Sequence, residues 1–242
     1  MPTKGKTAIV TGASQGIGAG LVKAFLEKGY NVVGTSRAAT KSKSLNASEK
    51  LALVDGDIGE MATAKKIADT AVDRFGSIDA LVNNAGIYFS KPFPEYTTAD
   101  LKALLSTNIE GFLYVTQLTV KQMLLQNTGG SIVNITTTMV DHPIAGTHAT
   151  VPMIAKGGLQ SAALNLAMEY AKQGIRVNVV APGVVDTPMH KDGPTDLLRT
   201  LQPMGGISTV QDIVDAVMYL TEAGQVTGEV LHVDGGAHLG KW

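Results

Sequence analysis

The residues 11–18 read Thr11-Gly12-Ala13-Ser14-Gln15-Gly16-Ile17-Gly18 and join an apolar, β-branched run, Thr7–Thr11, to a segment of helical periodicity, Gly16–Lys28. Glycines at such a junction let the backbone turn tightly and come close to a pyrophosphate. The helix that follows offers free N–H groups and partial positive charge to an anion. A glycine motif alone is weak, but its place between a strand and a helix is the context that gives it meaning. One strand later, Thr35-Ser36-Arg37 puts a guanidinium where an acid would otherwise hold ribose hydroxyls.

Those residues need a sheet to carry them. Strand-like runs recur at Thr7–Thr11, Asn31–Ser36, Leu51–Asp55, Ile78–Asn83, Ser131–Ile135, Arg176–Ala181 and Glu229–Val233. Helical patterns lie between them: Gly16–Lys28, Glu60–Phe75, 98–126 after a capping box at Thr97 and Asp100, 152–172, and Ser208–Thr221 with a box at Ser208 and Gln211. Alternating strands and helices predict an α/β, Rossmann-type, doubly wound parallel sheet of seven strands with helices on both faces. Near-continuous apolar strands fit burial on both sides. No linker divides residues 1–242, so a single dinucleotide-binding catalytic domain is expected. The segment 186–207, rich in Pro, Gly, Met and Thr, reads as a lid over the site. Its Pro188, Met189, His190, Leu197, Leu198 and Met204 suggest a mostly apolar pocket.

Composition narrows the function. Hydrophobic residues make up 44% and charged residues 17% of 242, with a net charge of −1, as in a globular protein. No basic run is long enough to track a nucleic-acid backbone. There is no cysteine, which excludes disulfides, thiolate metal sites and thiol nucleophiles. The five histidines are dispersed in sequence without ligand spacing, so no metal is expected. The first residues lead directly into a strand, with no apolar signal core and no membrane span. The expectation is a soluble cytoplasmic protein acting on a small molecule.

The glycine spacing is GxxxGxG, and with the motifs that follow it resembles the short-chain dehydrogenase/reductase family over nearly the whole chain. Beyond TGASQGIG, the matching motifs are Asp57 after the third strand, NNAG at 83–86, Asn108 in TNIEG, Pro182-Gly183 with Thr187, and TGEVLHVDGG at 227–236. The resemblance implies a nicotinamide dinucleotide held by Gly12, Ser14, Gln15, Gly16, Ile17, Gly18, Asp57, Ile58, Asn83, Ala85, Gly86, Lys156, Pro182, Gly183, Val185 and Thr187. It also implies a homo-oligomer, a dimer or tetramer, built partly on helices 98–126 and 152–173, with Leu239 and Trp242 fitting burial against a partner. Arg37 can make charge-assisted hydrogen bonds to a 2′-phosphate, which favours NADP(H), with NAD(H) the alternative.

In that family a tyrosine and a lysine stand as YxxxK on one helix face. The tyrosine protonates the carbonyl oxygen, the lysine assists it and holds ribose, a serine hydrogen-bonds the carbonyl, and an asparagine keeps a helix kink and a water relay. Here Lys156 and Asn108 match. Thr137 matches the serine, with Thr138 the alternative, and either hydroxyl could do its work. The tyrosine position holds Pro152. Losing a general acid costs about 10²–10⁴-fold in rate. His148, just before the helix, is therefore a candidate proton donor, with His142 and Tyr88 behind it, while His190 in the lid would be a substrate contact if it faces inward. Alternatively, a quinone or conjugated carbonyl, whose reduced oxyanion is delocalised, needs little acid help. The resulting expectation is an NADPH-dependent reductase of a carbonyl or quinone-type acceptor. A catalytically silent NADP(H)-binding sensor or structural protein is the other reading.

Overall fold

The computed structural model describes residues 5–189 and 198–240. All seven strands fall where alternation placed them: β1 (Thr7–Thr11), β2 (Asn31–Ser36), β3 (Leu51–Asp55), β4 (Ala80–Asn83), β5 (Gly130–Ile135), β6 (Ile175–Pro182) and β7 (Val230–Val233). They form one parallel sheet in the order β3-β2-β1-β4-β5-β6-β7. The order reverses between β1 and β4, so their carboxyl ends part and leave a crevice there.

Successive side chains on each strand point to opposite faces. Ala8, Val10, Val32 and Val180 pack under α1 (Gly16–Glu27) and the last described helix, while Ile9, Val33, Leu81 and Val179 pack under α2 (Met61–Phe75) and its neighbours. Both layers are dry, with Ile9, Val10, Val32 and Val33 fully buried. Each connection but one puts an α-helix on one face; β2 and β3 are joined by a loop with a single short 3-10 turn, Ala39–Lys41.

The predicted helix 98–126 is not regular. It comprises α3 (Thr98–Leu105), a π-helical turn (Ser106–Glu110) and α4 (Gly111–Gln126). Thr97 and Asp100 cap it reciprocally, as expected. α5 runs Thr150–Tyr170 and opens two residues before Pro152. Pro152 thus takes the third position of the helix, where its missing N–H has no intrahelical acceptor to lose. The final helix, α6 (Val210–Glu222), is capped one residue later than the sequence suggested. Its capping box is Thr209 with Asp212, not Ser208 with Gln211. The Thr209 hydroxyl accepts from Asp212 N–H at 3.2 Å and the Asp212 carboxylate accepts from Thr209 N–H at 2.7 Å. Ser208 instead donates to Gln202 Oε1, and Gln211 donates to Asp215.

Of the lid segment, residues 190–197 lie outside the described residues, and with them His190 and Leu197; Trp242 does as well. No described helix is long and apolar enough to cross a membrane.

Candidate active site

The carboxyl ends of β1, β2, β4, β5 and β6 open into a cavity of about 1110 Å³. Thr11 and Asn84 shape its floor. The Thr11 hydroxyl accepts from Asn84 N–H at 3.0 Å and Ala85 N–H at 2.9 Å, and the Asn84 amide donates to Thr11 O at 2.9 Å. These bonds hold the two parting strand ends in register. The β1–α1 turn is compact because its glycines allow it. Gly12 has φ +66, and a Cβ there would stand 2.9 Å from Ala85 Cα. A Cβ on Gly18 would stand 2.1 Å from Gly12 O, a backbone atom that cannot swing away. Gly18→Ala is therefore expected to force the turn open. Thermal melting should show a loss of about 1–3 kcal/mol from overpacking, and nucleotide affinity should fall at least about tenfold through lost orientation. An unchanged melting temperature and Kd would refute this close-packing account.

The start of α1 has no side-chain cap: Gln15, its N-cap, makes no capping hydrogen bond. Its free N–H groups face the cavity that Ser14, Gln15, Gly16 and Ile17 line. Arg37 lines the same cavity beyond Ser36, at the end of β2, and Asp57 and Ile58 line it after β3. Ala85, Gly86, Pro182, Gly183, Val185 and Thr187 complete the wall toward β5 and β6, where Thr137 and Lys156 stand. An anion-seeking helix start, a guanidinium and an adjoining hydroxyl-lined chamber fit a nicotinamide dinucleotide phosphorylated on its adenosine ribose.

Four expected contacts are placed differently. Gly18 packs beneath the turn and does not line the cavity. Asn83 is 5% exposed, outside the cavity lining, and donates to Thr116 and Asn134, each at 2.9 Å. It ties β4 to β5 and α4, and its neighbour Asn84 is the asparagine that reaches the site. Asn108 is 2% exposed and also stands behind the wall. Its amide donates to Ile87 O at 3.0 Å and its carbonyl accepts from Ile87 N–H at 2.9 Å. Asn108 therefore acts on the backbone that follows Gly86, from within the π-helical turn. His148 is exposed and outside the lining; its carbonyl is engaged by Ser90, Lys91 and Tyr96. Nothing places its imidazole where a reacting oxygen would lie, so its candidacy as proton donor is withdrawn.

Lys156 donates to Ile135 O at 2.8 Å, with Gly86 close by: a Cβ there would be 3.2 Å from both Lys156 Nζ and Asn108 Oδ1. Burial pushes the Lys156 ammonium down to about 8. Thr137 is part-exposed and caps a short turn, accepting from Met139 N–H at 3.4 Å. Thr138 is 2% exposed and donates to Asp234 at 2.6 Å, so of the two threonines Thr137 has the freer hydroxyl. Tyr88 is the one tyrosine of the lining, and burial raises its phenol above the ordinary value.

Sequence reading missed a cluster beside this wall. His142 is far from His232 and His238 in sequence, yet it stands 5.9 Å from His238, which stacks on His232 at 4.3 Å. Burial opposes ionisation of Asp234, but hydrogen bonds from Thr138, His238 and the Gly236 N–H outweigh it and hold the carboxyl below the usual range. Among the described residues no group of His, Asp and Glu has the arrangement to hold a metal ion.

Comparison with known proteins agrees with this geometry. Residues 12–238 match the family model described as "Enoyl-(Acyl carrier protein) reductase". The NADP-dependent (R)-specific alcohol dehydrogenase of Lentilactobacillus kefiri is 35% identical over 245 residues, covering 96% of each chain. The structure of ElxO with NADP bound superposes with a TM-score of 0.87 at 28% identity, over 96% of this chain and 98% of that one. A 3-ketoacyl-(acyl-carrier-protein) reductase from Brucella melitensis, complexed with NADH, gives a TM-score of 0.90 at 27% identity, over 97% and 99%. The glycine loop, the strand order, the parted β1 and β4 ends and these relatives together make the chain a member of the short-chain dehydrogenase/reductase family.

Proposed function

We propose that this enzyme is an NADPH-dependent reductase that delivers hydride to a carbonyl or quinone-type acceptor without a tyrosine acid. As a member of its family it is a hydride-transfer oxidoreductase, and its cofactor is NADP(H). The observation that carries the finer reading is the α5 face: Pro152 stands four residues before Lys156, and it is buried outside the cavity.

A bound nicotinamide would supply the hydride. The chain's own residues do the rest. The α1 start and Arg37 take the phosphates, and Lys156 and the Gly86 backbone border the sugar and ring. Thr137 offers a hydroxyl to the acceptor oxygen. Tyr88, Ile144, Met153, Met189, Leu198 and Leu201 make the acceptor side largely apolar. An apolar wall and weak acid supply together favour an acceptor whose reduced oxygen is a stable anion. NADPH oxidation measured side by side on a benzoquinone and an aliphatic ketone tests this; a clear preference for the ketone counts against it.

The same reading includes self-association. α4 and α5 leave Leu125 72% and Met168 82% exposed, beside a groove lined by Phe112, Leu124, Leu166 and Tyr170. Exposed apolar side chains gathered on one face mark association surfaces. Light scattering is expected to give a mass that is a multiple of 25.2 kDa, and Leu125→Glu with Met168→Glu should shift it toward one copy. A monomeric wild-type protein at micromolar concentration would remove this part of the proposal.

A further inference from the structure

We infer that Lys156 is itself the proton donor to the reduced acceptor. This rests on the reductase reading above and supplies its missing acid.

Position and elimination carry the inference. Lys156 Nζ lines the cavity at the end of β5, fixed by one hydrogen bond to Ile135 O at 2.8 Å. An ammonium has three N–H donors, so two remain for other partners. Its helix neighbour one turn back is Pro152, which has no proton to give, and no histidine lines the cavity among the described residues. Arg37 follows β2 and Asp57 follows β3. With strands about 4.8 Å apart, they stand roughly 14 and 19 Å from β5 along the sheet, too far to reach an acceptor beside Thr137. Tyr88 lines the cavity, but burial moves its phenol the wrong way for an acid.

The surroundings of Lys156 suit the task. The groups shown beside it are neutral: the Ile135 carbonyl, and the Gly86 backbone with the Asn108 side-chain oxygen next to it. Burial alone, with no carboxylate to offset it, lowers the ammonium to about 8. An acid of that strength is better matched to neutral pH than an unperturbed phenol near ~10.

The step balances simply. The acceptor carbon gains a hydride and the C=O π pair becomes a lone pair on oxygen. That oxygen bonds to a proton of the Lys156 ammonium. The broken N–H bond leaves its electrons on nitrogen as a neutral amine, which regains a proton from solvent.

The sign of the pH dependence follows. Lys156 is an ammonium below about 8 and an amine above it, so kcat should fall as pH rises through that value. Lys156→Arg keeps a cation for the ribose but cannot give up a proton in this range. It should lower kcat about 10²–10⁴-fold on an aliphatic ketone, and less on a benzoquinone, while NADPH affinity by fluorescence titration stays within a few-fold. A second readout needs no turnover. NMR of cofactor-free protein, isotope-labelled at the lysine ε position and assigned by the resonance lost in Lys156→Arg, should give a midpoint near that of the kcat limb. A Lys156 midpoint at the ordinary lysine value, or a Lys156→Arg enzyme with unchanged kcat and pH profile, overturns the inference. Wild-type protein that binds NADPH yet reduces neither acceptor overturns the reductase reading, and this inference with it.

Discussion

Arg37→Asp is expected to turn the enzyme from NADPH toward NADH. The guanidinium lies in the cavity lining at the end of β2, between Ser36 and Ala38. It is exposed and forms no ion pair among the described residues, so its charge is available to a ligand. Hydrogen bonds to a charged group contribute about 1.5–3 kcal/mol, and the substitution both removes them and sets a carboxylate against the 2′-phosphate. A preference change of at least about a hundredfold corresponds to roughly 2.8 kcal/mol. Binding isotherms for both nucleotides would measure it directly. The carboxylate can also accept from the ribose hydroxyls of NADH, so affinity for that nucleotide should hold or rise. Unchanged NADPH affinity in the variant would mean that the 2′-phosphate lies elsewhere.

The place of Arg37 in the cavity was legible because it depends on chain order alone. A strand end places its next residue at the sheet's carboxyl edge, and Arg37 is that residue. The seven strands were legible for the same reason: alternation on a two-faced sheet fixes Ile9 and Val33 on one layer and Val10 and Val32 on the other. Features set by contacts distant in sequence were not. The resemblance implied a kink at Asn108, which appears as a π-helical turn, but not its partner Ile87, 21 residues away. Thr138 and Asp234 are separated by 96 positions, and their hydrogen bond decides which threonine of the run keeps a free hydroxyl. His148 misled because nearness to Lys156 in sequence says nothing about its side chain once the backbone before α5 turns outward to meet Ser90 and Tyr96. Asn83 and Asn84 show how fine the distinction is. Adjacent residues at a strand end point to opposite faces, so one enters a buried amide network and the other the cleft.

The same logic makes Pro152→Tyr the most informative single change. Position 152 is one helical turn before Lys156, so the two side chains share a face. The backbone tolerates the change, because at the third position of α5 the new N–H has no intrahelical acceptor and Met153 N–H already bonds Ala149 O. Position 152 is buried, so thermal melting of the variant must first show that the larger ring is accommodated. With Lys156 adjacent, the added phenol is stabilised as its anion and becomes a stronger acid. If supply of a proton limits ketone reduction, kcat on an aliphatic ketone should rise, by up to about 10²–10⁴-fold. Reduction of a benzoquinone should change far less, because its product oxygen is already a stabilised anion. The high-pH limb of the ketone profile should also move, since the donor would then be the phenol. A variant that folds and binds NADPH normally but gains nothing on the ketone would show that Lys156 already meets the demand, or that hydride transfer itself is slow. The deuterium isotope effect from C4-labelled NADPH, measured on the unsubstituted enzyme, tests the premise: a small effect with a solvent isotope effect assigns the limit to the proton and predicts the gain, whereas a large one assigns it to hydride transfer and predicts none.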